Sequence, residues 1–195
     1  MSVTALILAG GRATRMGGVD KGLVLFNQKP LIAHVIERLQ LQVDEIIITA
    51  NRELETYRTL GYQVLPDEIA DFAGPLAGIL LGLKYAKSEY LLTSPCDCPL
   101  LPADLCERLM AALNTHHADI AIATSHNKDH PVICLCRKSV LASLNSYLQQ
   151  GGRKVSAWQK SLHHVHVDFS VTPDAFSNIN TMDELDLLSS VLNHD

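Results

Sequence analysis

Residues 8–21 read Leu-Ala-Gly-Gly-Arg-Ala-Thr-Arg-Met-Gly-Gly-Val-Asp-Lys, and no other stretch concentrates so much chemistry. An apolar run from Ala5 to Ala9 leads into adjacent glycines; Arg12 and Arg15 follow, then Gly17-Gly18 and Lys21. Glycine admits positive φ and lets the main chain approach a ligand closely. Main-chain N–H groups at such a turn, backed by guanidinium and ammonium groups, suit a polyphosphate. A nucleoside triphosphate is the expected ligand. The pattern is not the P-loop, whose Gly-Lys precedes Ser or Thr, because Lys21 is followed by Gly22. The dinucleotide spacing G-x-G-x-x-G is also missing, which weakens a dehydrogenase reading.

Asp97 is the second candidate. It lies just past an apolar run, in Pro95-Cys96-Asp97-Cys98-Pro99, where the two prolines stiffen the loop. An acid there could hold Mg²⁺, a hard ion bound through one or two carboxylates plus substrate phosphate oxygens. The plainer alternative is a loop aspartate closing an Asx-turn. Asp67, in Leu65-Pro66-Asp67, could accept hydrogen bonds from a base or ribose, or cap the next turn. Asn51 follows Thr49-Ala50, and either Asn51 or Thr49 could supply a polar contact. Asn178 and Asn180 alternate on an extended stretch and so share a face, although capping chemistry would also explain them. Gly152-Arg153-Lys154 is a second basic turn, either a subsite for an acidic second substrate or a solvated helix start.

The elements that must position these residues alternate between strand-like and helix-like. Strands are expected at Val3–Ala9, Glu45–Ala50, Gln63–Leu65, Tyr90–Ser94, Asp119–Ala123, Pro131–Cys136 and Val165–Phe169. Ile32, Val35, Ile36 and Leu39 fall on one face of a helix over Ile32–Leu41. Further helices are expected over Leu54–Leu60, closed by Gly61, and over Leu76–Ala86, with Gly78 and Gly82 on one face. Pro102 suits a first helical position, with the helix running on through Asp104–Asn114. Val140–Gln150, Lys154–Leu162 and a helix opening at the capping box Thr181-x-x-Glu184 complete the set. Ser125–His130 reads as a polar connection within a hairpin. Such alternation predicts an α/β fold with a mainly parallel sheet, helices on both faces and a small β-excursion. Ligands of such sheets bind beyond the carboxyl ends of the strands, so the loops after residues 9, 50, 65 and 94 should meet on one rim. One domain over residues 1–195 is the simplest organisation.

A formal net charge of −5 argues against a broad surface for nucleic acid or an anionic membrane, so positive charge must be local. No apolar stretch approaches the roughly 20 residues that span a bilayer, and the N-terminus lacks a basic leader. An odd count of five cysteines fits a reducing, cytoplasmic setting. Cys134 and Cys136 alternate within an apolar strand, where they act as small hydrophobes; the x-spacing is too tight for a usual zinc pair. His163, His164 and His166 read as a partly exposed strand.

Together these residues resemble the molybdenum cofactor guanylyltransferase family, within the nucleotidyltransferases that begin L-A-G-G-x-x-x-R-M-G-x-D-K. The chain matches with Leu8-Ala9-Gly10-Gly11, Arg15-Met16-Gly17 and, after one extra residue, Asp20-Lys21. Gly74-Pro75-Leu76-Ala77-Gly78, the Asp97 loop and Asn178-Ile179-Asn180-Thr181 also look like that family. The resemblance implies a three-layer, Rossmann-like fold of the nucleotide-diphosphosugar-transferase type. It implies GTP over Leu8, Ala9, Gly10 and Gly11, Lys21 on its phosphates, Asp67 toward the guanosine and Asp97 on Mg²⁺. A base-side asparagine of the family would fall at Thr49 or Asn51. Gly78, Gly82, Asn178 and Asn180 would face the pterin of the molybdopterin cofactor, whose terminal phosphate attacks GTP and expels pyrophosphate. Arg15, Lys21 and Asp97 are then the catalytic set, and molybdoenzyme maturation proteins are the implied partners. Transfer of another nucleotide to a different phosphate acceptor, and a non-catalytic carrier of the pterin cofactor, are the alternatives.

Overall fold

A computed structural model describes residues 1–10, 20–66, 74–172 and 175–177. Its centre is a seven-stranded sheet in the order β5-β4-β1-β6-β8-β7-β9. The strands are β1 (Val3–Leu8), β4 (Glu45–Thr49), β5 (Gln63–Leu65), β6 (Tyr90–Pro95), β7 (Ile120–Ser125), β8 (Lys128–Arg137) and β9 (His164–Asp168). Between β1 and β4 lies a small hairpin of β2 (Leu25–Phe26) and β3 (Lys29–Pro30). Only β8 runs against its neighbours in the main sheet, pairing antiparallel with both β6 and β7. The mainly parallel α/β architecture is therefore as expected. Among the described residues no helix is long and apolar enough to cross a membrane.

Strand alternation splits the core into two layers. Ala5, Ile7, Ile46, Ile48 and Leu92 join a cluster with α1 (Leu31–Leu39) and α4 (Leu105–Thr115). Leu6, Ile47 and Leu91, one residue out of phase, pack against α3 (Pro75–Tyr85), α5 (Leu141–Gln149) and α6 (Val155–Lys160). On α1 the buried face is Leu31, Ile32, Val35, Ile36 and Leu39, the stripe that the sequence predicts. The remaining helix, α2 (Leu54–Arg58), buries Tyr57 and ends before Gly61, whose φ of +84° stops it.

Two local expectations are corrected. Helix α4 begins at Leu105, so Pro102 is not its first residue. Instead the Pro102 carbonyl accepts from Leu105 N–H at 3.3 Å and from Gln42 Nε2 at 2.9 Å, while Gln42 Oε1 accepts from Cys106 N–H at 3.0 Å. A side chain just beyond α1 thus satisfies the helix start, which no local motif announces. The hairpin is also longer than expected: pairing continues to Ser125 and Lys128, leaving a turn with His126 and Asn127 both at positive φ (48° and 60°). Its register shifts between Ile122 and Ala123, opposite a stretch that holds Pro131, which has no N–H for a ladder.

Helix α3 lies close on the sheet because Gly78 and Gly82 face it. A Cβ on Gly82 would stand 2.6 Å from Leu6 Cδ2 and 3.1 Å from Leu91 Cδ2, both in the buried layer. Replacing Gly82 with leucine should therefore cost more than the ~1 kcal/mol of helix propensity it recovers, a net loss of about 2 kcal/mol. Urea unfolding should read this as a lower midpoint at unchanged slope; an equal or higher midpoint would show that the helix can lift away freely.

Candidate active site

Parallel pairing does not stop where the strands end. Beyond β1, Ala9 N–H donates to Thr49 O at 2.8 Å; beyond β6, Cys96 N–H donates to Leu8 O at 3.2 Å; beyond β4, Ala50 N–H donates to Leu65 O at 3.1 Å. The loops leaving β1, β4 and β6 therefore open side by side on one rim. The chain passes from β1 outward to β4 and β5, then returns to β6 on the other side, so this rim is the switch point of the topology. Leu8 is half-buried, Ala9 buried and Gly10 exposed, which carries the backbone into solvent as the glycine loop begins.

Lys21 and Asp97, 76 residues apart, meet across this rim: Lys21 Nζ stands 3.5 Å from Asp97 Oδ2. Lys21 opens a single tight helical turn, Lys21–Leu23, whose cap is Asp20. Asp97 is only 8% exposed, and its Oδ1 is buried with no hydrogen-bond partner among the described residues. Burial pushes the Asp97 carboxyl above the usual carboxylate range, and the charge and hydrogen bond of Lys21 offset this only in part. A buried, unpartnered carboxylate oxygen beside an ammonium group at a loop rim fits a hard divalent cation.

The other expected residues fall into distinct places. Asn51 is exposed on the rim, whereas Thr49 is buried at 2% exposure under α3, its Oγ1 3.0 Å from where a Gly78 Cβ would stand. Of the two, only Asn51 presents its side chain to solvent. Gly78 and Gly82 are buried, and Leu8, Thr49, Leu6 and Leu91 fill the space beside them. On this face the close approach that the two glycines permit is helix to sheet. The open glycine of this segment is Gly74, exposed at the start of α3 with φ +152° and nothing within 4 Å of a Cβ. Gly11, Arg12, Arg15, Asp67, Asn178 and Asn180 lie outside the described residues, as does the expected helix at Thr181.

Beside the rim a cavity of about 560 Å³ is lined by Pro95, Lys128, Asp129, His130 and Phe176, among others. It touches the Asp97 loop through Pro95, and Ser177 on its wall directly precedes Asn178. His130 Nε2 lies 2.7 Å from Ser125 Oγ, and its ring packs on Phe176 with centroids 4.7 Å apart. Burial, and then the charge of Lys128, lower the His130 pKa, which favours the uncharged ring. Nothing in the sequence marks this wall, because its residues look like a polar hairpin connection until the register shift turns them together.

All five cysteines are buried, with Cys134 and Cys136 in the α5–α6 layer. His164 and His166 lie on β9, where His166 Nε2 stands 3.6 Å from Asp129 Oδ1. In the second basic turn, Arg153 donates to the carbonyls of Leu148 and Gly152 at the end of α5.

Residues 5–165 match the model of the MobA-like NTP transferase domain. The chain belongs to that family. It is 48% identical over 195 residues to a molybdenum cofactor guanylyltransferase of Polynucleobacter asymbioticus, and 43% identical over 192 residues to one of Shewanella loihica. Each alignment covers 98% of both chains. The molybdopterin-guanine dinucleotide biosynthesis protein A of Archaeoglobus fulgidus shares the fold, with a TM-score of 0.81 at 21% identity over 98% of this chain and 100% of that one. The MobA-like domain thus places its rim, its lysine and its buried aspartate on a fold common to nucleotidyltransferases.

Asp97 holds its proton more tightly folded than unfolded, so its ionised form costs stability. Its favourable contribution is present below the unfolded pKa and is lost as pH rises through the raised folded value. At pH 7 the variant Asp97→Asn should unfold at the same or a higher urea concentration than the wild type, by up to about 1 kcal/mol. That difference should shrink as the pH falls below the ordinary carboxylate range. A clear loss of stability at pH 7 would instead make Asp97 a structural residue.

Proposed function

We propose that the chain transfers GMP from GTP to the terminal phosphate of the molybdenum–molybdopterin cofactor, releasing pyrophosphate and forming the guanine dinucleotide cofactor. The observation that carries this reading is the meeting of Lys21 with the buried, half-unpartnered carboxylate of Asp97 at the mouth of the glycine loop. Near-full-length relatives at 41–48% identity named molybdenum cofactor guanylyltransferase supply the acceptor and the base.

The chemistry asks for no activated side-chain nucleophile, because the attacking group is itself an anionic phosphate oxygen. That oxygen forms a bond to the α-phosphorus of GTP, and the bond from the α-phosphorus to the bridging oxygen breaks. Pyrophosphate departs with the electron pair. The barrier lies in bringing two anions together and in neutralising the leaving group. Lys21 places an ammonium charge on the phosphates, and the main chain at Ala9 and Gly10 begins the cradle that Gly11 continues. Arg15 adds a second cation to the loop. Asp97 would hold Mg²⁺ through its unpartnered oxygen, and the ion supplies further charge neutralisation at the phosphates. Asn51 serves the base from the exposed end of β4, and Asp67 serves the guanosine.

The acceptor belongs in the cavity next to Pro95. The His130 ring and Phe176 offer flat faces to a heterocycle, Lys128 offers a cation, and Asn178 and Asn180 come after Ser177 in the sequence. Exchange of the product with molybdoenzyme maturation proteins, in the cytoplasm where the five cysteines stay reduced, completes the reading.

Incubation with molybdopterin cofactor, Mg²⁺ and each nucleoside triphosphate in turn tests it. Pyrophosphate should form with GTP, depend on the pterin and stop when EDTA removes the metal. Asp97→Ala and Lys21→Ala should each lower turnover more than about tenfold with unchanged circular dichroism. Release with CTP alone would redirect the assignment to cytidylyl transfer, and pterin binding without pyrophosphate would make the chain a carrier.

A further inference from the structure

Asp20 directly precedes Lys21 and is buried at 6% exposure, an unusual setting for a carboxylate at a loop mouth. Its Oδ1 accepts two hydrogen bonds, from the Tyr57 hydroxyl at 2.5 Å and from Gly22 N–H at 3.2 Å. Tyr57 belongs to α2, the helix that follows Asn51, and its side chain is fully buried among the core residues of the α1 layer. The ring is immobilised by packing, so the hydroxyl is a fixed donor. The fit leaves no slack: a Cβ on Gly22 would stand 2.6 Å from the Tyr57 oxygen and 3.3 Å from Cys96 Sγ. Cys96 in turn precedes Asp97. Three segments distant in sequence therefore lock at one point, directly behind the Lys21–Asp97 pair.

Stability alone does not account for this arrangement. Burying a carboxylate raises its pKa, and apolar side chains of similar volume would hold three segments together at least as well. A carboxylate with a tyrosine donor fixes direction, and the direction it fixes is that of the turn carrying Lys21. We infer that Tyr57 is a positioning residue for nucleotidyl transfer, acting through Asp20 to hold the Lys21–Leu23 turn so that the ammonium group of Lys21 stands opposite Asp97. The inference rests on the functional reading above for what Lys21 does. It adds that the base-side loop and the phosphate-side lysine are tied by one hydrogen bond, since α2 leads directly from Asn51.

Two measurements on Tyr57→Phe, which keeps the packed ring and deletes only the hydroxyl, test the inference. The first is a double-mutant cycle on pyrophosphate release. Tyr57→Phe should lower kcat/KM for GTP about tenfold in the wild-type background and less than about twofold in Lys21→Ala, because its effect runs through that lysine. The second needs no turnover: the rate at which acetic anhydride labels Lys21 at low conversion, read by mass spectrometry against Lys87, whose side chain is 85% exposed. Lys21 should label several-fold faster once the hydroxyl is gone, with the urea midpoint showing that the variant is folded. Losses that multiply in the double variant, or an unchanged labelling rate, overturn the inference. A wild-type protein that releases no pyrophosphate with any triphosphate sinks the functional reading alone, and the labelling comparison still decides the role of Tyr57.

Discussion

Parallel pairing of β4, β1 and β6 holds three strand ends level, and the hydrogen bonds that keep them level run one residue further than the strands themselves. Ala9, Ala50 and Cys96 are consequently fixed side by side before any loop begins. Every functional group of the rim inherits its position from that alignment. Asp97 stands one residue past a clamped Cys96, and the glycine loop leaves from a clamped Ala9. A register slip of one residue in β6 would turn Leu91 and Leu92 to the wrong layers, so the packing that selects the register also aims the carboxylate.

That rigidity explains how the molecule tolerates an ill-solvated charge. A carboxylate as buried as Asp97 would relax toward water on a flexible loop. Here Cys96 is tied to β1 on one side, and Pro95 and Pro99 restrict the backbone on the other. The Lys21 ammonium group offsets part of the cost and leaves one oxygen unsatisfied. Under the function proposed above, such an arrangement would be organised for positive charge before any arrives, the form of preorganisation that transition-state neutralisation requires.

Much of this was legible in the sequence wherever a local pattern and a tertiary demand coincide. The α1 stripe, the apolar β1 run and the positions of Lys21 and Asp97 after strands follow from periodicity and from the rule that ligands meet strand ends. What the sequence conceals is satisfied from a distance. Gln42 starts α4 from 64 positions upstream of Cys106, so Pro102 misleads about where the helix begins. Gly78 and Gly82 announce close approach without saying of what, and the partner turns out to be Leu8 and Leu6. Thr49 and Asn51 look equivalent in the chain until strand alternation and α3 bury one of them. Tyr57 reads as one apolar residue of a short helix; nothing nearby in sequence points its hydroxyl at Asp20.

The single reversed strand divides the rim into two kinds of wall. On the parallel side each strand ends at the rim and hands over to a loop. On the other side β8 begins at the rim, so its hairpin with β7 projects past the end of β6 and carries side chains outward. The shift at Ile122 and Pro131 then brings His130 against Phe176 beside Pro95. For the transfer proposed above, a phosphate chain and a bulky, flat-faced acceptor would use these two different surfaces. Pro95, the last residue of β6, lines the cavity beside the rim, and Asp97 follows it by two residues, where β6 meets the one reversed strand, β8.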